Sequence, residues 1–369
     1  MADAPTLRWL QRAAGNQAVQ EYVASLARIQ RSPLAAGPAP VKAPNPVDLL
    51  HLVGEALVDA IGSRAGRTRE SAALKHVISY ARLHGPKGPL GDDTHFDVRL
   101  YVVAFRLAKE ILAHPSLDKL PPRLRAVVFA AEKLNLSPLR AGAASAANRA
   151  WMTSSGGVVG GRNPAEKGST GAFGPTAWKC NKLVADSYLA TSGGDIGKKK
   201  YPFYGSDRTW AYQASDLAAT VSKGEPKLTP GKDLKHFPYS ELLRLSADGT
   251  AIAEIDEFDA KGTRVARYIL SGGVFEKHVP DGAGGWKKTK DTRDPADLKP
   301  GQLADMGDIV AFHSAVKGVS GHTGLNLGND LFISAMNATE GVGILSIKLH
   351  VDPSAWDRYD YVGFRSFTK

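Results

Sequence analysis

Cys180 is the only cysteine in this 369-residue chain, and it heads a helix-like run, Cys180-Asn181-Lys182-Leu183-Val184-Ala185-Asp186. A thiol at a helix N-terminus meets the positive end of the helix dipole and free backbone N–H groups, both of which favour the thiolate. Far downstream, His322 begins an alternating, strand-like segment, Gly321-His322-Thr323-Gly324-Leu325-Asn326-Leu327-Gly328. A thiolate nucleophile, with an imidazole serving first as general base and then as general acid, is the chemistry of a cysteine hydrolase working through a thioester. The backbone N–H of Cys180 is the natural oxyanion donor, with a second donor unidentified. The plain alternative for Cys180 is a small buried apolar residue, the common fate of a free cysteine. Among ten histidines the one rival base is His313; His322 is preferred because Gly321 and Gly324 leave room beside it for a substrate backbone.

Other chemistries fail on inspection. The chain has no His-Glu-x-x-His zinc motif, no Gly-x-Ser-x-Gly nucleophile elbow and no Gly-x-x-x-x-Gly-Lys phosphate loop. His350 and Asp352, taken with His313, obey no spacing rule for a metal, so neither metal nor cofactor is expected.

The elements that must hold these residues follow from patterning. Two short helices are expected within residues 7–31, with Gly15 stopping the first and Asn16 capping the second. Residues 32–46 contain Pro33, Pro38, Pro40, Pro44 and Pro46 and read as an extended, semi-rigid linker. This start of the chain is a docking tag on a leash or, alternatively, a frayed helix packed on its own domain. Residues 47–152 read as a bundle of helices. One opens at Asn45-Pro46 and stops near Gly62, and another runs from Thr68 to His84. A third covers about His95 to His114, a fourth opens at Pro121-Pro122, and a fifth opens at Ser137-Pro138 and runs to Trp151. The bundle shows no chemistry of its own and would be a scaffold or a cover for the catalytic groove.

Residues 153–369 form the expected catalytic domain. Its Gly/Ser-rich start, 154–174, is a substrate-lining loop or an interdomain linker. Alternation predicts strands over 251–258 and 264–270 around an Asp259–Gly262 turn, then 273–279, within a β-rich insertion spanning about 222–300. Segments 307–312, 323–327, 331–334, 343–349 and 361–364 read as one antiparallel sheet. The fold class is therefore α+β.

At 43% hydrophobic and 23% charged residues, the composition is that of a folded chain. A single cysteine excludes an internal disulfide framework and suits synthesis in a reducing cytoplasm. The net charge of +10 and pI near 9.5 favour anionic partners, a cell wall among them. The densest basic run, Lys198-Lys199-Lys200, is a solvated loop or a docking patch, and no aromatic-interleaved basic repeat points to nucleic acid. No stretch reaches the ~20 apolar residues of a membrane span. The start of the chain has no signal-peptide pattern, so export by the general secretory route is not expected.

Several segments, in order, resemble the NlpC-type and CHAP-type papain-like cysteine peptidases. They are Cys180–Asp186, then Met306-Gly307-Asp308-Ile309-Val310-Ala311-Phe312, then Gly321–Asn329, then Phe332-Ile333-Ser334-Ala335, with Tyr361-Val362-Gly363-Phe364-Arg365 as the closing strand. The resemblance covers about 175–220 and 300–367. It implies a papain-like domain, Cys180 and His322 as catalytic pair, and peptidoglycan peptides as substrate. The residue that orients the imidazole departs from the pattern. NlpC-type enzymes carry a second histidine where this chain has Ser334, and CHAP-type enzymes use asparagine or glutamate somewhat later, where Asn337 and Glu340 stand. Asn337 is the first choice, then Glu340, then Ser334.

The segment Leu10-Gln11-Arg12-Ala13-Ala14-Gly15-Asn16-Gln17-Ala18-Val19, with Ala27–Arg31, resembles the leader of proteins associated with bacterial extracellular contractile injection systems. It implies a cytoplasmic precursor loaded into a phage-tail-like particle through residues 1–31 and delivered as a toxin. An immunity protein is a further expected partner. Alternative readings keep a papain-like protease, deamidase or acyltransferase acting on a protein, or an inactive binding module.

Overall fold

The computed structural model of the chain describes residues 46–84, 99–136, 180–190, 220–222, 225–227, 239–246, 252–259, 261–295, 304–314, 321–335, 342–347 and 359–366. These fall into two compact units. The first, which extends to Leu124, holds three helices, α1 (Pro46–Gly62), α2 (Thr68–His84) and α3 (Arg99–Ala113), followed by a 3-10 turn at Leu117–Lys119. Pro46 opens α1 because its missing N–H would be unpaired at a first helical position anyway. On α3, Leu100, Val103, Ala104, Leu107, Ala108 and Ile111 recur at helical spacing, and all are buried. The three helices pack pairwise. Arg67, just before α2, donates to Glu70 Oε1 at 3.1 Å and to the Ile111 carbonyl at 3.0 Å, and also to the His114 carbonyl. One buried guanidinium thus closes the C-terminal end of α3 and fixes the start of α2.

The fourth helix, α4 (Pro122–Ala131), crosses the boundary between units, because Arg125–Asn135 belong to the second one. Its C-terminal tail bonds to the sheet, with the Asn135 amide donating to the Val342 carbonyl at 2.8 Å. The fifth expected helix, the leader and nearly all of the linker lie outside the described residues, as do Lys198–Lys200.

The second unit also holds α5 (Cys180–Ala190), the small hairpin β1 (Thr220–Ser222) and β2 (Glu225–Lys227), and one ten-stranded antiparallel sheet. Its strands are β3 (Tyr239–Leu245), β4 (Ile252–Phe258), β5 (Arg264–Ser271), β6 (Val274–Pro280), β7 (Trp286–Arg293), β8 (Ile309–Ser314), β9 (His322–Gly328), β10 (Leu331–Ala335), β11 (Val342–Ser346) and β12 (Tyr359–Arg365). They lie in the order β11-β10-β9-β8-β12-β3-β4-β5-β6-β7. The protein is thus α+β, as expected. The β-rich segment between α5 and β8 is continuous with the downstream strands, joined where β12 pairs with both β8 and β3. Leu243, Ile255, Tyr268, Phe275, Val310, Phe312, Phe332, Val362 and Phe364 belong to one apolar cluster that runs across the join. Burying a residue of this size contributes roughly 1.5–3 kcal/mol, so the cluster binds both halves into one body. Strands β3 and β7 were not read from the sequence.

Candidate active site around the Cys180 helix

Cys180 is the first residue of α5 and is half-buried. Leu183, Val184, Ser187 and Tyr188 follow at helical spacing and are buried, so one stripe of the helix faces protein. The helix packs on β9 and β10. At its far end the Tyr188 hydroxyl donates to the Gly307 carbonyl at 2.7 Å. Gly307 is tied to β9 in turn, since its amide donates to the Asn326 carbonyl at 2.7 Å. The Asn326 side chain holds the same turn, donating to the Asp305 carbonyl at 3.0 Å while its oxygen accepts the Gly328 amide.

His322 opens β9 and is half-buried. It pairs directly with Phe312 of β8, and directly paired residues share a face of the sheet. Its ring lies 6.1 Å from the Phe312 ring and 5.9 Å, edge-on, from that of Phe332. These two phenylalanines belong to the large apolar cluster, which among the described residues takes in no member of α5. The imidazole therefore lies against side chains of β8 and β10. His313, one position beyond Phe312, faces the opposite side of the sheet.

β9 turns into β10 through Asn329 and Asp330, both at positive φ (53° and 67°), a two-residue turn whose twist suits a hairpin. Gly324 sits in the middle of β9 because a side chain there has no room. A Cβ would strike the Ile333 carbonyl oxygen and lie 2.7 Å from Phe332 Cδ2 and 3.1 Å from Ser334 Cβ. The glycine thus serves close packing against β10.

Ser334, the third choice for orienting the imidazole, is fully buried on β10, and its hydroxyl donates to the Thr323 carbonyl at 2.6 Å. Its hydrogen is used to fasten β10 to β9. Asn337, Glu340, His350 and Asp352 lie outside the described residues. Among the described residues no cluster of three or more His, Cys, Asp or Glu side chains could hold a metal, and no helix is long and apolar enough to cross a membrane.

Asp308 lies in a segment whose pattern predicts only a strand. Its carboxylate is buried and accepts the Ser240 and Ser366 hydroxyls at 3.0 and 2.8 Å and the Asp305 amide at 3.0 Å. It draws together β3, the start of β8 and the end of β12. Burial, partly countered by the bond from Ser366, pushes its carboxyl up to about 6. Comparison of the chain with models of known families, with curated proteins and with solved structures gives no match.

Proposed function

We propose that the protein is a cysteine hydrolase that cleaves amide bonds in peptidoglycan peptides, carried as toxin cargo of a contractile injection system. The observation that carries this reading is the packing of the Cys180 helix on the strand that His322 opens. The Tyr188–Gly307 anchor ties the far end of the helix to the Asn326 end of β9. From Tyr188 back to Cys180 the helix rises ~12 Å. From Asn326 back to His322 the strand covers ~13 Å. The two spans match in length, so a helix running back along β9 from this anchor would bring Cys180 level with His322.

In the proposed reaction the Cys180 thiolate attacks the amide carbonyl carbon, and the Cys180 N–H takes the oxyanion. His322 holds the thiol proton and passes it to the departing amine as the C–N bond breaks. Water, deprotonated by the same imidazole, then splits the thioester and frees the acid and the thiol. Asn337 remains the first choice to orient the ring, and Glu340 the second.

A binding module without catalysis is the second reading. Ser334 favours it, since the position where the NlpC-type enzymes carry a histidine holds a hydroxyl bonded to Thr323. Incubating purified peptidoglycan with wild type, Cys180→Ser and His322→Gln, and identifying the products by mass spectrometry, tests both. New muropeptide fragments from wild type alone are expected. No cut by any of the three would remove the wall-hydrolase reading and turn attention to protein amides or to binding.

A further inference from the structure

The far edge of the sheet is its most cationic described part. β7 is an edge strand on which Lys287, Lys288, Lys290 and Arg293 are all exposed. Lys288 is paired with Glu276 at 2.7 Å, while Lys287, Lys290 and Arg293 share the strand and its end with the exposed Asp291 and Asp294. Several exposed cations along one open sheet edge suit a linear polyanion, whose bound counterions are released as the cations take their place.

The aromatic groups decide which polyanion. The Arg264 and Arg267 guanidiniums lie 5.8 and 5.1 Å from the Trp286 ring. Tyr268 is buried beneath Lys277, 5.9 Å away. Rings held in this way by protein cations are not a stacking platform, and single-stranded nucleic acid needs one. Apolar exposure is limited to Val265 and Val274 among the large hydrophobics of this region, too little to enter a bilayer interface. Charge is what the edge presents, so its fitting partner is a linear polyanion without bases.

We propose that the exposed edge of β7 docks the protein on the phosphodiester polymer of a bacterial cell wall. The inference rests on the wall-hydrolase reading for its choice of polymer, while its test is a binding measurement that needs no catalysis. Full-length Cys180→Ser would be sedimented with purified walls, with walls stripped of phosphodiester polymer by acid extraction, and with Lys287→Gln/Lys290→Gln/Arg293→Gln added. Binding should fall on the order of tenfold on stripped walls and in the triple variant, with a shallower dependence on salt. Equal binding to stripped walls, no effect of the triple variant, or equally tight binding to a single-stranded oligonucleotide or to anionic vesicles would overturn the proposal. The same three substitutions in wild type should leave hydrolysis of soluble muropeptides unchanged. If Cys180→Ser binds walls through β7 while wild type cuts nothing, the enzyme reading fails and the docking surface stands.

Discussion

Phe312 and His322 are register partners across β8 and β9, and their rings lie 6.1 Å apart on one face of the sheet. The next residue along β8, His313, turns to the other face. The two histidines that compete for the role of base are thereby separated by the pleat.

That separation gives the first prediction. Alkylation of Cys180 by iodoacetamide, followed by mass spectrometry across pH 5–9, should slow several-fold near pH 6 in His322→Gln. His313→Gln should follow the wild-type profile. The reverse pattern would transfer the base to His313, and no change in either variant would leave the thiol without an imidazole partner.

Ser334→Ala removes a buried hydroxyl whose donation to the Thr323 carbonyl fastens β10 to β9. A stability loss of about 1 kcal/mol in urea unfolding is expected, because the carbonyl loses a partner. Hydrolysis of soluble muropeptides, assayed well below the unfolding transition, should keep its rate. A loss of rate in a stably folded variant would restore Ser334 as the orienting residue.

Gly324→Ala places a methyl group against the Ile333 carbonyl and the Phe332 ring. The neighbouring backbone cannot yield as a flexible side chain would, so about 1–3 kcal/mol of destabilisation is expected. Thermal unfolding measures it. An unchanged midpoint would mean that β9 and β10 are less closely packed than the geometry requires.

Asp308 makes stability depend on pH. Its folded carboxyl titrates near 6, above the ordinary value of 3.8. Between those values the native state keeps a proton that the unfolded chain has released, so stability falls as pH rises through the window. The loss is on the order of 3 kcal/mol for a shift of this size. Urea unfolding at pH 4.5 and pH 7 should show the fall in wild type and a smaller one in Asp308→Asn. Equal slopes would assign the pH dependence elsewhere.

In the helical unit, Arg67→Met strands Glu70, which is fully buried. A loss of about 3–5 kcal/mol is expected. Adding Glu70→Leu should recover part of it, though not all, because the Ile111 and His114 carbonyls still lack their donor. A double variant no more stable than Arg67→Met would show that the pair carries little of the cost.

Much of this architecture was legible in the residues. Pro46 and Gly62 bracket α1, and Thr68 to His84 is α2 as the pattern predicts, because helix ends carry local signals. The alternation at 251–258 and 264–270 predicts β4 and β5 to within a residue for the same reason. β3 was missed because Leu242, Leu243 and Leu245 are buried without strict alternation, and β7 because its edge position replaces apolar residues with lysines. Membership of one sheet was not legible, since the β12–β3 pairing joins residues more than a hundred positions apart and no local signal announces it. The heads of the two site elements, Cys180 and His322, were readable from their spacing. The engaged hydroxyl of Ser334 and the buried carboxyl of Asp308 were not, because each depends on partners from other strands.

The position of β12 bears on how the chain is made. Strands β3–β7 and β8–β11 can each zip together by neighbouring hairpins as they leave the ribosome. They remain two separate sheets, each with an open edge at β3 or β8, until residues 359–365 emerge and slot between them. The slow step of folding should therefore be this last insertion. A nascent chain stalled before it carries two sticky edges ready to pair with a neighbouring copy.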